Sequence, residues 1–165
     1  MQNLKCKPEK VKGLVKVAVT NAELDRVRQL LWQYAEWRGF DAALAKIEAE
    51  IELLPGKYAP PEGQLLLALW NDQAAGCIAY QSLSPTICEM KRLFVLPDYR
   101  GKQIGQQLIA RLLDEARRAG YTHMRLDSHP HMQAAQRLYE HFGFQPTDRY
   151  NDNPTEGILF FEKKL

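Results

Sequence analysis

Six residues, Arg100-Gly101-Lys102-Gln103-Ile104-Gly105, place two cations and two glycines immediately ahead of a helical pattern. The first N–H groups of a helix have no partner inside it, and the helix dipole adds partial positive charge there. Such an end is a ready site for an anion, above all phosphate. Gly101 and Gly105 let backbone approach a bulky ligand, and Arg100 and Lys102 supply charge. Two other phosphate-binding patterns are excluded by the residues, because the chain holds neither GxxxxGK[ST] nor GxGxxG. A second cluster, His129-Pro130-His131, offers imidazoles that could ligate metal. A zinc site needs three or four protein ligands, so no metal is expected and contact with a substrate is the better role for these histidines.

The elements that must carry these residues follow from periodicity. Val15, Val17 and Val19 alternate in a strand over Leu14–Thr20. Asn21 is read as the N-cap of a helix with Leu24, Val27, Leu30, Leu31 and Tyr34 on one face, stopped at Gly39. A second helix is predicted over Asp41–Leu54, ended by Pro55-Gly56. Three strands, Gln64–Trp70, Ala74–Ser82 and Ile87–Val95, are separated by turns too short for anything but antiparallel pairing. A helix over Ile104–Ala119 buries Ile104, Leu108, Leu112, Leu113 and Ala116, and a strand His123–Asp127 follows. The strand Ile87–Val95, this helix and His123–Asp127 form a βαβ unit, so its two strands are expected to be parallel. A helix over Gln133–Phe142 and strands near Phe144–Asp148 and Gly157–Lys163 complete one α/β domain with a mixed sheet. The aromatics Trp32, Tyr34, Trp37 and Phe40 are expected to be mostly core.

Composition narrows the class. With 165 residues, 45% apolar and 25% charged, the chain suits one soluble globular domain. A net charge of +2 does not suggest a nucleic-acid partner, and no apolar run is long enough to span a membrane. The lysines at 5, 7, 10 and 12 mark residues 1–13 as a basic, flexible segment ahead of a domain over 14–165; no apolar stretch makes them a signal peptide. Cys6, Cys77 and Cys88 show no CxxC spacing, which fits a reducing cytoplasm.

Three segments in order carry a family resemblance. Lys91-Arg92-Leu93-Phe94-Val95-Leu96-Pro97 is similar to the central strand of the GNAT N-acetyltransferases. Arg100–Gly105 resembles their [RQ]xxGx[GA] turn, with Gln103 where a middle glycine is common. Ala135-Gln136-Arg137-Leu138-Tyr139-Glu140-His141-Phe142-Gly143-Phe144 resembles their A-x-x-L-Y-E-x-x-G-F segment, although Met132 stands where an asparagine that bonds the cofactor is frequent. The resemblance implies a GNAT-like fold, a mixed and mostly antiparallel sheet with a splayed parallel pair at its centre and helices on its flanks. It implies acetyl transfer from acetyl-CoA to a primary amine of a small molecule, amino-acid-like compound or peptide, with no metal; a homodimer is allowed.

On that resemblance the diphosphate belongs to Arg100, Gly101, Lys102, Gln103, Ile104 and Gly105, and the pantetheine arm to the backbone of Leu93, Phe94 and Val95. Tyr139 matches the residue that protonates the leaving thiolate, although Ala135, Leu138, Tyr139 and Phe142 also have the spacing of a core stripe. Glu89, at even offset from Lys91 and Leu93 on the same strand, could take a proton from the incoming amine, hold its ammonium by charge alone, or simply pair with a lysine at the surface. Arg149, Tyr150 and Asn151 are placed at the far side of the acceptor pocket. An acyl-CoA-binding sensor or scaffold of the same fold, with catalysis lost, is the alternative that Gln103 and Met132 keep open.

Overall fold

The computed structural model describes residues 12–38 and 44–165. Most of the expected basic segment 1–13 lies outside these residues, as do Cys6, Gly39, Phe40 and the expected helix start at Asp41. The elements in order are β1 (Gly13–Val17), α1 (Asn21–Arg38), α2 (Leu44–Glu52), β2 (Gln64–Trp70), β3 (Gln73–Ser82), β4 (Ile87–Val95), α3 (Ile104–Arg118), β5 (His123–Ser128), α4 (Gln133–His141), β6 (Gln145–Pro146) and β7 (Leu159–Lys164). They form one α/β domain whose seven-stranded sheet runs β1-β2-β3-β4-β5-β7-β6. Its one parallel pair among the described residues is β4–β5, the pair joined by the α3 crossover.

β1 ends early because Val19 and Thr20 are used for capping. Glu23 N donates to Thr20 Oγ1 at 3.2 Å, while Val19 N and Thr20 N donate to Glu23 Oε2 at 2.8 and 2.9 Å. This is a capping box on Thr20, so the cap is one residue earlier than the Asn21 read from sequence. The β2–β3 hairpin turns on two residues, Asn71 and Asp72, both with positive φ (48° and 63°). That geometry matches the right-handed twist of the flanking strands, and Asn and Asp tolerate it better than most side chains.

Apolar residues fill both faces of the sheet. α3 lays Ile104, Leu108, Ile109, Leu112, Leu113 and Ala116 on Leu66, Ile78, Tyr80, Cys88, Met90 and Met124, together with Tyr139 of α4. α1 and α2 cover the other face through Val27, Leu30, Leu31, Ile47 and Ile51 against Leu65, Leu67, Cys77, Ala79 and Phe94. Each such side chain contributes about 1.5–3 kcal/mol when fully removed from water. The expectation that the aromatics of this region are mostly core needs correction. Tyr34 is buried, but Trp32 and Trp37 are 40% and 51% exposed, because they fall off the Leu24–Val27–Leu31 stripe.

Two features of the sheet position the site. The β4–β5 pairing stops at Glu89↔Arg125, so the two strands part beyond it. Within β4, the register to β3 slips between Ala79↔Lys91 and Cys77↔Phe94, and Arg92 adopts φ +61°. This β-bulge rotates the strand, as one extra residue must. Glu89 and Lys91 keep a common face, but Leu93 turns to pack against the α3 side. The face shared by Glu89, Lys91 and Leu93 in simple alternation is therefore broken after Lys91.

Candidate functional site

A cleft of ≈ 1060 Å³ opens where β4 and β5 part, walled by α1, α2, the two strands and the segment 151–155. Glu89 lies at its floor and is only 2% exposed. Its carboxylate is held from every side. Gln81 Nε2 donates to Oε1 at 2.7 Å, Tyr150 Oη donates to Oε2 at 2.6 Å, and Asn151 Nδ2 donates to Oε2 at 3.3 Å. Lys91 Nζ stands 3.3 Å from Glu89 Oε1 and 3.7 Å from Asp127 Oδ2. Asn151 Nδ2 also donates to Asp127 Oδ2 at 2.8 Å, and Asn153 Nδ2 donates to the same oxygen at 3.2 Å. Glu89 does pair with a lysine, but as a buried network rather than an exposed pair. Two carboxylates and one ammonium leave this network with one net negative charge, in a setting where burial strengthens every electrostatic contact.

Burial pushes the Asp127 carboxyl up, but Lys91 and the Asn151 and Asn153 amides outweigh it and hold it below its ordinary value. Burial raises the Tyr150 hydroxyl, and the Glu89 carboxylate raises it further, so its proton stays available to Glu89. Tyr139 comes from the α3 side of the sheet and reaches the cleft through the split between β4 and β5. Its ring packs edge-on against Phe144, with centroids 6.0 Å apart. Burial raises its hydroxyl pKa, with Tyr34 and Asp127 adding to the rise, so the group is protonated at neutral pH. Of the predicted α4 stripe only Tyr139 is buried; Ala135, Leu138 and Phe142 are partly so.

The α2 wall is tied to the bulge. Arg92 donates Nε and Nη2 to the two carboxylate oxygens of Glu50 at 3.0 and 2.7 Å, a bidentate pair. Tyr58 Oη donates to the same carboxylate, and Lys57 Nζ lies 3.5 Å from it. Burial pushes the Glu50 carboxyl up, but Arg92, Tyr58 and Lys57 together hold it below its ordinary value.

Glu50 and Asp127 are therefore expected to set the acid limit of stability. A carboxyl lowered on folding stabilises above its unfolded pKa, about 4, and that contribution is lost as pH falls through the lower folded value. Glu50→Gln and Asp127→Asn should each melt below the wild type at pH 7, and the gap should narrow as pH drops below about 4. Thermal melts from pH 7 to pH 3 check this; a gap that stays constant with pH would count against it.

The turn 100–105 lies outside the cleft. α3 begins with Gln103 at φ +62° as its N-cap, whose side chain makes no capping bond to the first N–H groups. Gly101 has φ +77° and nothing within 4 Å of where a Cβ would sit, so the turn is both open and dependent on glycine there. Gly105 has a different duty, because a Cβ there would meet Leu138 Cδ2 at 3.3 Å; it lets α3 and α4 pack closely. Arg100 lies over the Trp37 ring (5.6 Å) and Lys102 over the Trp70 ring (5.0 Å), so two aromatics flank the turn. The Ile104 side chain is core, which leaves only its backbone for a ligand. Of the β4 residues, Leu93 lines the cleft, Phe94 is buried edge-on against Tyr34 (5.5 Å), and Val95 O accepts from Arg100 Nε at 3.3 Å.

The cleft thus gathers Glu89, Leu93 and Tyr139 from the residues named in advance and sets Arg100–Gly105 beyond it. Asp127 and Arg92 enter as unforeseen members, and Lys91, already placed on the face of Glu89, pairs with both carboxylates; Asn151 lines the cleft and Tyr150 donates to Glu89, whereas Arg149 bonds the backbone of Asn151 and Asn153. His129 lines the cleft, and the His129 and His131 rings stand 5.0 Å apart. No cluster of three His, Cys, Asp or Glu placed for a metal occurs among the described residues. No helix among the described residues is long and apolar enough to cross a membrane.

An open helix end thus lies beside a split parallel pair in a mostly antiparallel sheet. The GNAT acetyltransferase family model matches residues 24–144, and the chain belongs to that family. It is 32% identical over 145 residues to an uncharacterized N-acetyltransferase of Schizosaccharomyces pombe, covering 87% of this chain and 89% of the relative. Among solved structures, an acetyltransferase from Streptococcus agalactiae superposes with a TM-score of 0.80 at 23% identity, over 94% of this chain and 99% of the other. The PaiA N-acetyltransferase of Thermoplasma acidophilum, in complex with coenzyme A, shares the fold with a TM-score of 0.72 at 18% identity, over 93% and 99%.

Proposed function

We propose that this cleft acetylates a primary amine of a small molecule, amino-acid-like compound or peptide, with acetyl-CoA as the donor. One observation carries the reading: the split between β4 and β5 brings Glu89 and Asp127 from one face of the sheet and Tyr139 from the other into a single cavity. The uncapped α3 end, the open space at Gly101 and the exposed cations Arg100 and Lys102 suit a diphosphate. The edge of β4 past Glu89 has no partner strand in the β5 direction among the described residues, which suits an extended, amide-bearing arm alongside Leu93, Phe94 and Val95. That a protein of the same fold was solved in complex with coenzyme A supports coenzyme A as the kind of ligand.

When bound, acetyl-CoA supplies an acetyl thioester. The chain supplies the rest. Glu89 and Asp127 hold the acceptor's ammonium, and Glu89 takes its proton, leaving the nitrogen's electron pair free to bond the acetyl carbon. Lys91 and Asn151 keep the two carboxylates together at reduced repulsion. As the carbon–sulfur bond breaks, the Tyr139 hydroxyl gives its proton to the departing sulfur, and the second proton that the nitrogen loses as the amide forms restores that hydroxyl. General acid help of this kind contributes roughly 10²- to 10⁴-fold.

Binding alone gives a first test. Acetyl-CoA at about 100 times its Kd should add about 2.7 kcal/mol of stability, a rise in Tm of roughly 5–10 °C for a chain this size. ATP and NAD should give no such shift. Thiol release with a panel of amines then separates an enzyme from a cofactor-holding sensor. Equal shifts with all three nucleotides would defeat the cosubstrate assignment.

A further inference from the structure

The charged groups facing the cleft are sorted by wall. The side built from α1, α2 and the β4 bulge presents Arg38, Lys46, Lys57 and Arg92 against the carboxylate of Glu50. The opposite side presents Glu89, Asp127 and Asp152 against the ammonium of Lys91. Opposed walls of unlike sign set a field across the space between them, and low-dielectric surroundings focus it. An acceptor with only an ammonium would answer one wall and leave the other unmatched.

Arg38 is the unmatched group. It is half-buried at the end of α1, and its Nη1 reaches Tyr34 Oη at 3.5 Å and Met132 Sδ at 3.7 Å. The guanidinium lies 5.9 Å from the Tyr34 ring centroid. All of these neighbours are uncharged. Arg92 and Lys57 have Glu50, and Lys91 has Glu89 and Asp127. Lys46 is exposed, where water serves an ammonium well. Of the cations lining the cleft, Arg38 alone combines partial burial with the lack of a carboxylate partner among the described residues. A guanidinium taken from water without a counter-ion is costly, and its planar fork suits a carboxylate.

Resting on the acetyl-transfer reading above, we infer that the acceptor is a zwitterion, an amine that also bears a carboxylate. Its ammonium meets Glu89 and Asp127, and its carboxylate meets Arg38. Met132 takes part indirectly, because its thioether receives the guanidinium without neutralising it. A free amino acid has this pair of groups; a polyamine or an amine on a neutral skeleton does not.

The test compares the common L-amino acids with the amines of the same skeleton that lack the carboxylate. The best amino acid should exceed its matched amine in kcat/KM by about 10- to 100-fold, the range for a hydrogen bond to a charged group. Arg38→Gln should erase most of that preference through a higher KM, and Arg38→Lys should restore part of it. Calorimetry should give the same acetyl-CoA Kd for all three proteins. Equal use of amine and amino acid overturns the inference, as does acetyl-CoA binding with no amino acid acetylated. If Arg38→Gln weakens acetyl-CoA instead, the anion it awaits is the diphosphate and the inference fails. Absence of acetyl-CoA binding in the wild type would defeat the acetyl-transfer reading itself, an outcome the calorimetry reports separately.

Discussion

Tyr139→Phe is expected to lower kcat by roughly 10²- to 10⁴-fold, with little change in the KM for acetyl-CoA. The substitution removes one oxygen and keeps the ring contacts with Phe144 and Phe161, at 6.0 and 6.2 Å between centroids. Stability should therefore hold while the proton source disappears. Burial, then Tyr34 and Asp127, raise the hydroxyl's pKa, so at neutral pH it carries the proton that the step requires. A loss confined to kcat and kcat/KM marks an interaction made only during the reaction. If Tyr139 serves packing alone, phenylalanine fills the same space and kcat stays within a few-fold. The helical stripe in α4 predicts that second outcome. Its other members are only partly buried, however, and Tyr139 lines a polar cleft as well as the core. Single-turnover measurement on folded variant protein decides between the two.

Much of this arrangement was legible before any coordinates. Strand runs and helix stripes were strong because core packing obeys their periods, and β2, β4, α3 and the parallel pair fall where periodicity puts them. The hairpin at Asn71-Asp72 carried its own turn chemistry. The cap at Thr20 was also readable, since Thr20 and Glu23 have the capping-box spacing, but Asn21 drew attention as an equally good cap residue. Arg92 gave no signal. A bulge residue at positive φ is more often Gly or Asn, and here an arginine holds that position with its side chain gripped by Glu50. Asp127 could have been found by register. With β4 and β5 parallel and Glu89 opposite Arg125, two residues further along each strand bring Lys91 and Asp127 to the same level. Tyr150 and Asn151 reach Glu89 from a segment without regular structure, so no periodicity located their contacts. The insertion of β7 between β5 and β6 was hidden because strand order across a long return leaves no local mark.

Replacing Arg92 with methionine is expected to cost about 3–5 kcal/mol of stability, the usual result of stripping one partner from a buried ion pair. In this chain that corresponds to a fall in Tm of roughly 6–20 °C. The partners are shielded enough for the figure to apply, with side-chain exposures of 17% for Arg92 and 8% for Glu50. Methionine matches much of the arginine stem, so the loss reports charge and hydrogen bonds more than volume. Relief of the φ +61° strain would return about 1–3 kcal/mol only if glycine were introduced. Arg92→Gly should therefore remain destabilised, because the lost pair outweighs the relaxed backbone. Removing both charges in Arg92→Met with Glu50→Met should recover only part of the loss, since the carboxylate is gone but the buried Tyr58 hydroxyl loses its acceptor. Denaturant melts of the two singles and the double complete the cycle. If Arg92→Met loses less than about 1 kcal/mol, the pair behaves as a solvated surface contact, and α2 is not anchored to the bulge through it. If the large loss appears, the same residue that bends β4 open also fixes the α2 wall of the cleft, so cleft shape and fold stability rest on one guanidinium.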